Sequence, residues 1–228
     1  MIIKRLKMRR IVIDKDSKGT IAVYWTASII LAALAILFIK PLWALIPILL
    51  FLLVFAFFVF WFHRVPDRDI PEGDETLVTA VADGKVVVVE RAYEGEYFKE
   101  DRIQVSIYMD FFDVHTNFWP VTGKVSYYKY HPGKYLLAFL PKSSEKNEHS
   151  STAIRNSHGE VFFKQIAGTF ARRIVCYSKE GLEVERGKQC GIIKFGSRID
   201  IYLPLDAEIL VKEDEFTVAS VTKIARLK

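Results

Sequence analysis

The sequence predicts a mostly β domain preceded by an α-helical membrane hairpin. Beyond residue 75 the chain shows short β-branched runs broken by turn residues, without a sustained apolar period of helical spacing. Before that point, residues 21–39 and 42–62 form two uncharged, almost entirely apolar runs. A chain of 228 residues has room for one soluble domain and a small membrane region, but not for two domains of full size.

Residues 1–20 form a short basic leader. They carry seven Lys/Arg and two Asp/Glu, and they account for the whole formal charge of +5 because the rest of the chain is balanced. A basic patch that binds nucleic acid is expected on the folded domain, whereas this one precedes an apolar segment, where anionic lipid is the expected partner. The charge pattern therefore argues against nucleic acid and favours a cytoplasmic leader at a membrane surface.

The apolar runs at 21–62 predict a two-helix membrane hairpin. Each run is long enough to cross a hydrocarbon core of about 30 Å, and Lys40-Pro41 forms the tight turn between them. Basic residues before the first run and just after the second place both ends in the cytoplasm, with the chain anchored in the inner membrane. Two alternatives are a pair of buried core helices and a re-entrant hairpin that enters one leaflet.

Residues 63–74 contain two prolines, a glycine and six charged residues, and they are expected to be a linker. The β domain then covers residues 75–228. Within it, Ser143–Gly159 is rich in polar residues and is expected to be a loop near the site or its lid. The predicted strands are residues 77–80, 85–91, 103–108, 123–130, 161–166, 173–177, 191–195, 198–203, 208–211 and 217–224.

The spacing of cysteine and histidine gives a metal site little support. Cys176 and Cys190 are too far apart for a CxxC pair, and each is expected to be a buried free thiol. The five histidines form neither an HExxH motif nor a paired Cys/His spacing. No metal ligand is therefore assigned.

One predicted strand is interrupted at Gly196-Ser197. Apolar residues precede the glycine, and apolar and polar residues alternate after Arg198. A glycine inside a strand removes a packing side chain and allows close approach of the backbone. On the local pattern alone, the pair indicates a bulge or a turn.

Four stretches resemble the phosphatidylserine decarboxylase family, and together they span most of residues 75–205. Their order along the chain matches the order in the family, which makes the set more specific than any single stretch. The first is an Ala-Asp-Gly turn at Asp83, and the second is an Asp-x-His segment followed by Pro-x-x-Gly at 113–123. The third combines Pro-Gly-Lys, Leu-Pro-Lys and Asn-Glu at 132–148, with His149 where arginine is usual. The fourth is a strand-turn-strand segment at 164–175 that leads to Gly196-Ser197.

The resemblance implies a proenzyme that cuts itself between Gly196 and Ser197 into chains 1–196 and 197–228, which stay together as a heterodimer. It implies a hammerhead or barrel-sandwich-like domain and leaves a higher homo-oligomer open. Ser197 would become a pyruvoyl group that forms a Schiff base with phosphatidylserine, whose decarboxylation gives phosphatidylethanolamine. The self-cleavage demands a base near the Ser197 hydroxyl and donors near the developing oxyanion.

His115 is the expected general acid, because an imidazole titrates near neutral pH. Asp83 is expected to orient it. Many longer members of the family carry a second histidine three positions after the first, where this chain has Phe118. This departure indicates the short, archaeal-type subgroup, and it leaves open whether His115 serves both steps or whether His149 or His158 assists.

Arg172, Arg198 and Lys142 are weaker candidates for binding the substrate phosphate. A guanidinium offers bidentate hydrogen bonds to phosphate oxygens. The alternative is that these side chains are solvated or paired with nearby carboxylates.

Two other functions are weighed against the decarboxylase. A noncatalytic membrane-tethered β module of the lipoyl or biotinyl kind needs a lysine on a characteristic turn, and neither Met-Lys-Met nor Asp-Lys-Ala occurs. A serine hydrolase using Ser197, His115 and Asp83 is disfavoured because the surroundings of Ser197 do not form Gly-x-Ser-x-Gly.

Overall fold

The computed structural model describes residues 11–134, 147–168, 174–193 and 197–228. The chain divides into two compact units. The unit at residues 8–67 is helical, and the unit at residues 68–228 is mostly β. The helical unit contains β1 (Ile11–Ile13), a short 3-10 helix (Lys15–Ser17), α1 (Lys18–Phe38), α2 (Leu42–Phe62) and β2 (Arg64–Pro66).

The two helices form a hairpin. Trp25 on α1 donates its Nε1–H to the carbonyl oxygen of Ala56 on α2 at 3.0 Å. The strands β1 and β2 pair in antiparallel fashion, so both ends of the hairpin lie on the same side. Both helices are long and apolar enough to cross a bilayer. The predicted hairpin with its turn at Lys40-Pro41 is confirmed, while membrane crossing stays a prediction.

The second unit is built from antiparallel strands. Their bounds are β3 (Leu77–Thr79), β4 (Gly84–Glu94), β5 (Glu100–Met109), β6 (Thr116–Phe118), β7 (Gly123–His131), β8 (His149–Asn156), β9 (Gly159–Ala167), β10 (Ile174–Cys176), β11 (Glu183–Val184), β12 (Gln189–Ile193), β13 (Ser197–Leu203), β14 (Glu208–Ile209), β15 (Phe216–Thr217) and β16 (Lys223–Arg226). Eight strands form a main sheet that curls into a half-barrel, in the order β11-β7-β8-β9-β13-β5-β4-β15. Two three-stranded sheets accompany it, β10-β12-β6 and β14-β16-β3.

The strand β13 lies inside the main sheet and is buried along its whole length. Its first residue, Ser197, pairs with Met109 on β5 and with Ala167 on β9. Successive side chains of a strand point to opposite faces. Ile199 and Ile201 belong to the main hydrophobic core, so Ser197 faces that core as well.

Two glycines allow close crossings beside this strand. Gly84 follows Asp83 with φ +147°, and a Cβ there would lie 2.2 Å from the carbonyl oxygen of Tyr108. A Cβ on Gly133 would lie 2.3 Å from the backbone carbon of Asn147. Only glycine lets the backbone pass at these distances. As a result β4 can start against the end of β5, and Asn147 can approach the end of β9.

Most predicted strands coincide with observed strands to within three residues at their described ends. The predicted loop Ser143–Gly159 is wrong over much of its length, because β8 occupies His149–Asn156. Its polar residues face inward and are paired there: Ser150 donates to Gln165 at 2.9 Å, and the hydroxyl of Thr152 lies 2.7 Å from that of Ser178. Polar composition therefore misled the prediction.

The predicted strand 217–224 is also wrong in detail. It consists of two short strands, β15 and β16, which pair with different partners. A turn separates them at Ser220, whose φ is +65°. A non-glycine residue with positive φ marks a turn that a pattern of apolar residues does not reveal.

Candidate active site

Ser197 lies fully buried at the start of β13. Among the described residues its Oγ has no hydrogen-bond partner. Leaving a buried polar group unpaired costs about 1–3 kcal/mol, and a native structure that retains such a group needs a reason for it. Gly196, the other residue of the predicted scissile pair, lies outside the described residues.

His115 lies between β5 and β6 and is buried. Its Nδ1 is 3.0 Å from the carbonyl oxygen of Asp113. Because a carbonyl oxygen only accepts, Nδ1 carries the hydrogen, and Nε2 is the nitrogen that can take up a proton. The carbonyl oxygen of His115 accepts the N–H of Ile193 at 3.1 Å. His115 is thereby joined to the strand that leads into Ser197.

Asp83 is held by Arg68, a residue that the sequence placed in the linker. Arg68 binds both carboxylate oxygens, with Nη1–Oδ1 at 2.5 Å and Nη2–Oδ2 at 2.7 Å. Asp83 also accepts the N–H of Ala219 at 2.8 Å. The Arg68 guanidinium carbon lies 5.8 Å from the ring centroid of Phe118, the position where longer members have the second histidine. Orientation of His115 by Asp83 stays a prediction.

Three buried polar side chains form a hydrogen-bonded chain near Ser197. They are Asn117 on β6, Gln165 on β9 and Ser150 on β8. The sequence motifs included Asn117 and Gln165 but assigned them no role. A polar residue on a strand does not reveal by itself which buried partner it meets.

Arg198 follows Ser197 but points to the opposite face of the sheet, as expected from strand alternation. Its Nε donates to Asp200 at 2.6 Å, and its Nη2 donates to Ser106 at 2.9 Å. It lines a cavity of about 790 Å³ together with Lys164 and Tyr202. Phosphate binding by Arg198 stays a prediction. Arg172 and Lys142 lie outside the described residues.

The same cavity contains a cluster of three residues that could hold a metal ion. The side-chain ligand atoms of Glu96, His131 and His149 lie within 4.8 Å of one another. His131 Nε2 is 2.6 Å from Glu96 Oε1, and Lys164 Nζ is 2.9 Å from Glu96 Oε2. An incoming cation would meet the charge of Lys164 and displace these contacts. The geometry therefore favours a hydrogen-bonded network over a metal site.

The structure does not bring His149 or His158 to the hydroxyl of Ser197. His149 lies on the cavity face, opposite the face of Ser197. His158 is exposed in the turn between β8 and β9, at the far end from the pair Ala167–Ser197. The role of His115 as acid or base stays a prediction.

Two groups in the cavity cluster have shifted pKa values. Desolvation by burial lowers the pKa of His149, and the neighbouring His131 and Lys164 act in the same direction. Burial alone would raise the pKa of Glu96, but hydrogen bonds and the charge of Lys164, together with His131 and Ser151, lower it to about 2. The fold therefore favours neutral His149 and charged Glu96.

Acidification is expected to destabilise the β unit in two successive windows. Unfolded His149 takes up a proton below its ordinary pKa of about 6.5, which folded His149 resists, so its contribution is lost as the pH falls below that value. The contribution of Glu96 is lost as the pH falls from the ordinary pKa of a glutamate, 4.5, to its lowered pKa of about 2. Thermal unfolding followed from pH 7.5 to 5 measures the first window.

The matched comparison uses His149→Gln and His158→Gln. The first variant is expected to flatten the fall in melting temperature between pH 7.5 and 5, and the second, at an exposed site, is expected to retain it. An unchanged slope in His149→Gln would contradict the assignment.

Comparison with known proteins agrees with the motifs. A family model described as phosphatidylserine decarboxylase matches residues 55–225. Similar curated proteins are the phosphatidylserine decarboxylase proenzymes of Amoebophilus asiaticus, 51% identical over 74% of this chain and 75% of the relative, and of Cytophaga hutchinsonii, 47% identical over 79% and 80%. A third, from Parabacteroides distasonis, is 43% identical over 81% and 82%. These relatives are bacterial, so the expected archaeal-type subgroup is wrong.

Proposed function

This chain belongs to the phosphatidylserine decarboxylase family, and from that membership we propose that it is a pyruvoyl-dependent phosphatidylserine decarboxylase. It cleaves itself between Gly196 and Ser197 and then converts phosphatidylserine to phosphatidylethanolamine. The family match favours this reading over the carrier module and the serine hydrolase.

One observation carries the proposal for the site. Ser197 is buried at the head of a central strand, and its Oγ lacks a partner among the described residues. A nucleophilic hydroxyl must be available to its general base, and an Oγ without a structural partner is available in this way. The orphaned Oγ therefore fits a residue that is converted into a pyruvoyl group.

In self-cleavage, the Ser197 hydroxyl attacks the carbonyl carbon of Gly196. His115 supplies the base, because its Nδ1 is committed to the carbonyl of Asp113 and its Nε2 can accept the proton. β-Elimination then breaks the bond between Cβ and the ester oxygen, which releases the Gly196 carboxylate and leaves a dehydroalanine. Hydrolysis of that residue releases its nitrogen as ammonia and leaves the pyruvoyl group at position 197. These steps leave a chain of residues 1–196 and a chain of residues 197–228.

In decarboxylation, a pyruvoyl group supplies a carbonyl that condenses with an amine and withdraws the electrons released with CO₂. The chain's own part is to deliver a proton to the substrate carbon afterwards, and we assign this step to His115 because an imidazole titrates near neutral pH. The buried position of Ser197 and His115 excludes bulk water from this step.

The helical hairpin anchors the enzyme in the inner membrane, with both ends of the hairpin and the catalytic domain in the cytoplasm. The pairing of β1 with β2 supports this topology, since it holds the two ends together. Phe111 and Phe112 support an apolar entrance for the lipid, because both are exposed and lie shortly before His115. Phe118 and Trp119, by contrast, are buried.

Intact-mass measurement of the purified protein tests the proposal. We expect two chains divided before Ser197, with the smaller chain blocked to N-terminal sequencing, and release of labelled CO₂ from phosphatidylserine in mixed micelles. A single uncut chain of 228 residues without decarboxylase activity would overturn the proposal.

A further inference from the structure

The buried chain formed by Ser150, Gln165 and Asn117 ends beside Ser197. Ser150 donates to Gln165 Oε1 at 2.9 Å, and Gln165 Nε2 donates to Asn117 Oδ1 at 2.8 Å. All three residues are fully buried. The side chain of Asn117 is thus held in a fixed position by a buried, hydrogen-bonded network.

The free end of Asn117 is its amide nitrogen. Nδ2 lies 3.8 Å from the sulfur of Met109, a weak acceptor that has no hydrogen to donate. In the reversed orientation the amide oxygen would face this sulfur, and two acceptors would meet. Because the Met109 sulfur can only accept, the side-chain amide of Asn117 is oriented with its Nδ2–H bonds, and not its oxygen, toward Met109.

Met109 links the Asn117 amide to the strand of the reacting serine. Met109 is the direct partner of Ser197 across β5 and β13. Met109 and Ile199 both belong to the main core, so the side chains of Met109 and Ser197 lie on the same face of the sheet. A buried donor with only a weak acceptor therefore neighbours a buried hydroxyl with no partner in the described part of the chain.

We propose that Asn117 is the oxyanion donor of the self-cleavage step and that Gln165 positions it. As the Ser197 oxygen bonds to the Gly196 carbonyl carbon, the hydroxyl proton passes to the base and the carbonyl oxygen takes the electron pair. The Nδ2–H of Asn117 donates to this oxyanion. Collapse restores the carbonyl, breaks the C–N bond and protonates the Ser197 nitrogen, which leaves the ester. This inference rests on the proposed function.

The test follows newly synthesised full-length protein, inserted into nanodiscs, by intact mass over time. Asn117→Leu is close in shape to asparagine and has no donor. Loss of one preorganised oxyanion donor slows such a step by about 10²–10³-fold, and we expect that reduction in cleavage rate. Ser150→Ala is the matched control at the far end of the chain, where we expect less than about a tenfold change because the donor itself remains.

Hydroxylamine distinguishes the step that is blocked, because it cuts an ester but not an amide. Asn117→Leu should accumulate no ester, so hydroxylamine should leave it uncut. Should this variant fail to fold, Asn117→Ala removes the amide donor without placing a larger apolar group beside Gln165, and the same result is expected. Cleavage of both variants at the wild-type rate, or an accumulated ester, would overturn the role of Asn117. An uncut wild type would instead overturn the proposed function.

Discussion

Replacing Ser197 with alanine is expected to leave a single chain of 26.3 kDa and to abolish decarboxylation. Alanine has no oxygen to attack the preceding carbonyl, and it offers no route to a pyruvoyl group. The substitution removes only one buried atom that makes no described hydrogen bond. We therefore expect the variant to fold, so that the loss reports chemistry and not stability. Intact mass and the CO₂ assay measure the two effects.

Ser220 provides the matched control. It is also buried, and its Oγ also lacks a partner among the described residues, but it lies in the turn between β15 and β16. Ser220→Ala should cleave and turn over like the wild type. Two chains in Ser197→Ala would show that the scissile bond lies elsewhere.

Replacing His115 with glutamine is expected to lower decarboxylation per cleaved molecule by about 10²–10⁴-fold. Glutamine retains a polar side chain of similar reach, but it neither takes up nor delivers a proton near neutral pH. The rate must be divided by the cleaved fraction, because His115 is also proposed as the base in self-cleavage. Intact mass supplies that fraction, and steady-state kinetics on phosphatidylserine supplies the rate.

His158→Gln is the control for this experiment, since His158 is exposed at the far end of β8 and β9. It should leave both rates unchanged. Normal turnover by cleaved His115→Gln would remove the proton-delivery role from His115, and normal self-cleavage would remove its role as the base.

The sequence was informative where residues alternate regularly. The pattern after Arg198 predicted β13 to within one residue, and the uncharged runs predicted both helices. It failed for β8, because Ser150 and Thr152 occupy inward positions that usually hold apolar side chains. Their partners lie on other strands, so only the folded chain explains why these polar residues are buried.

The sequence motifs named candidate residues for the site, but they did not indicate the hydrogen-bond and ion-pair partners of those residues. Ser197 and His115 follow from the motifs, and the structure joins His115 to the strand leading into Ser197. The salt bridge between Arg68 and Asp83 was not foreseen, because Arg68 lies in the segment 63–74 that was expected to be a linker. The sequence shows that Asp83 is present. Which cation pairs with it depends on the tertiary fold, because Arg68 belongs to a segment that was expected to be a linker.

The position of β13 between β5 and β9 determines what self-cleavage does to the molecule. Both neighbours belong to the proposed chain of residues 1–196. The proposed shorter chain also pairs with that chain through β15 against β4 and β16 against β3, so its strands are built into the sheets of the longer one. The proposed cleavage of the Gly196–Ser197 bond releases the C-terminal end of the longer chain. The hydrogen bonds of β13 to β5 and β9 hold the new N-terminus at Ser197 in place. With cleavage as proposed, the new end group at Ser197 is already held in place by these two ladders, and separation of the two chains requires unfolding of the sheet.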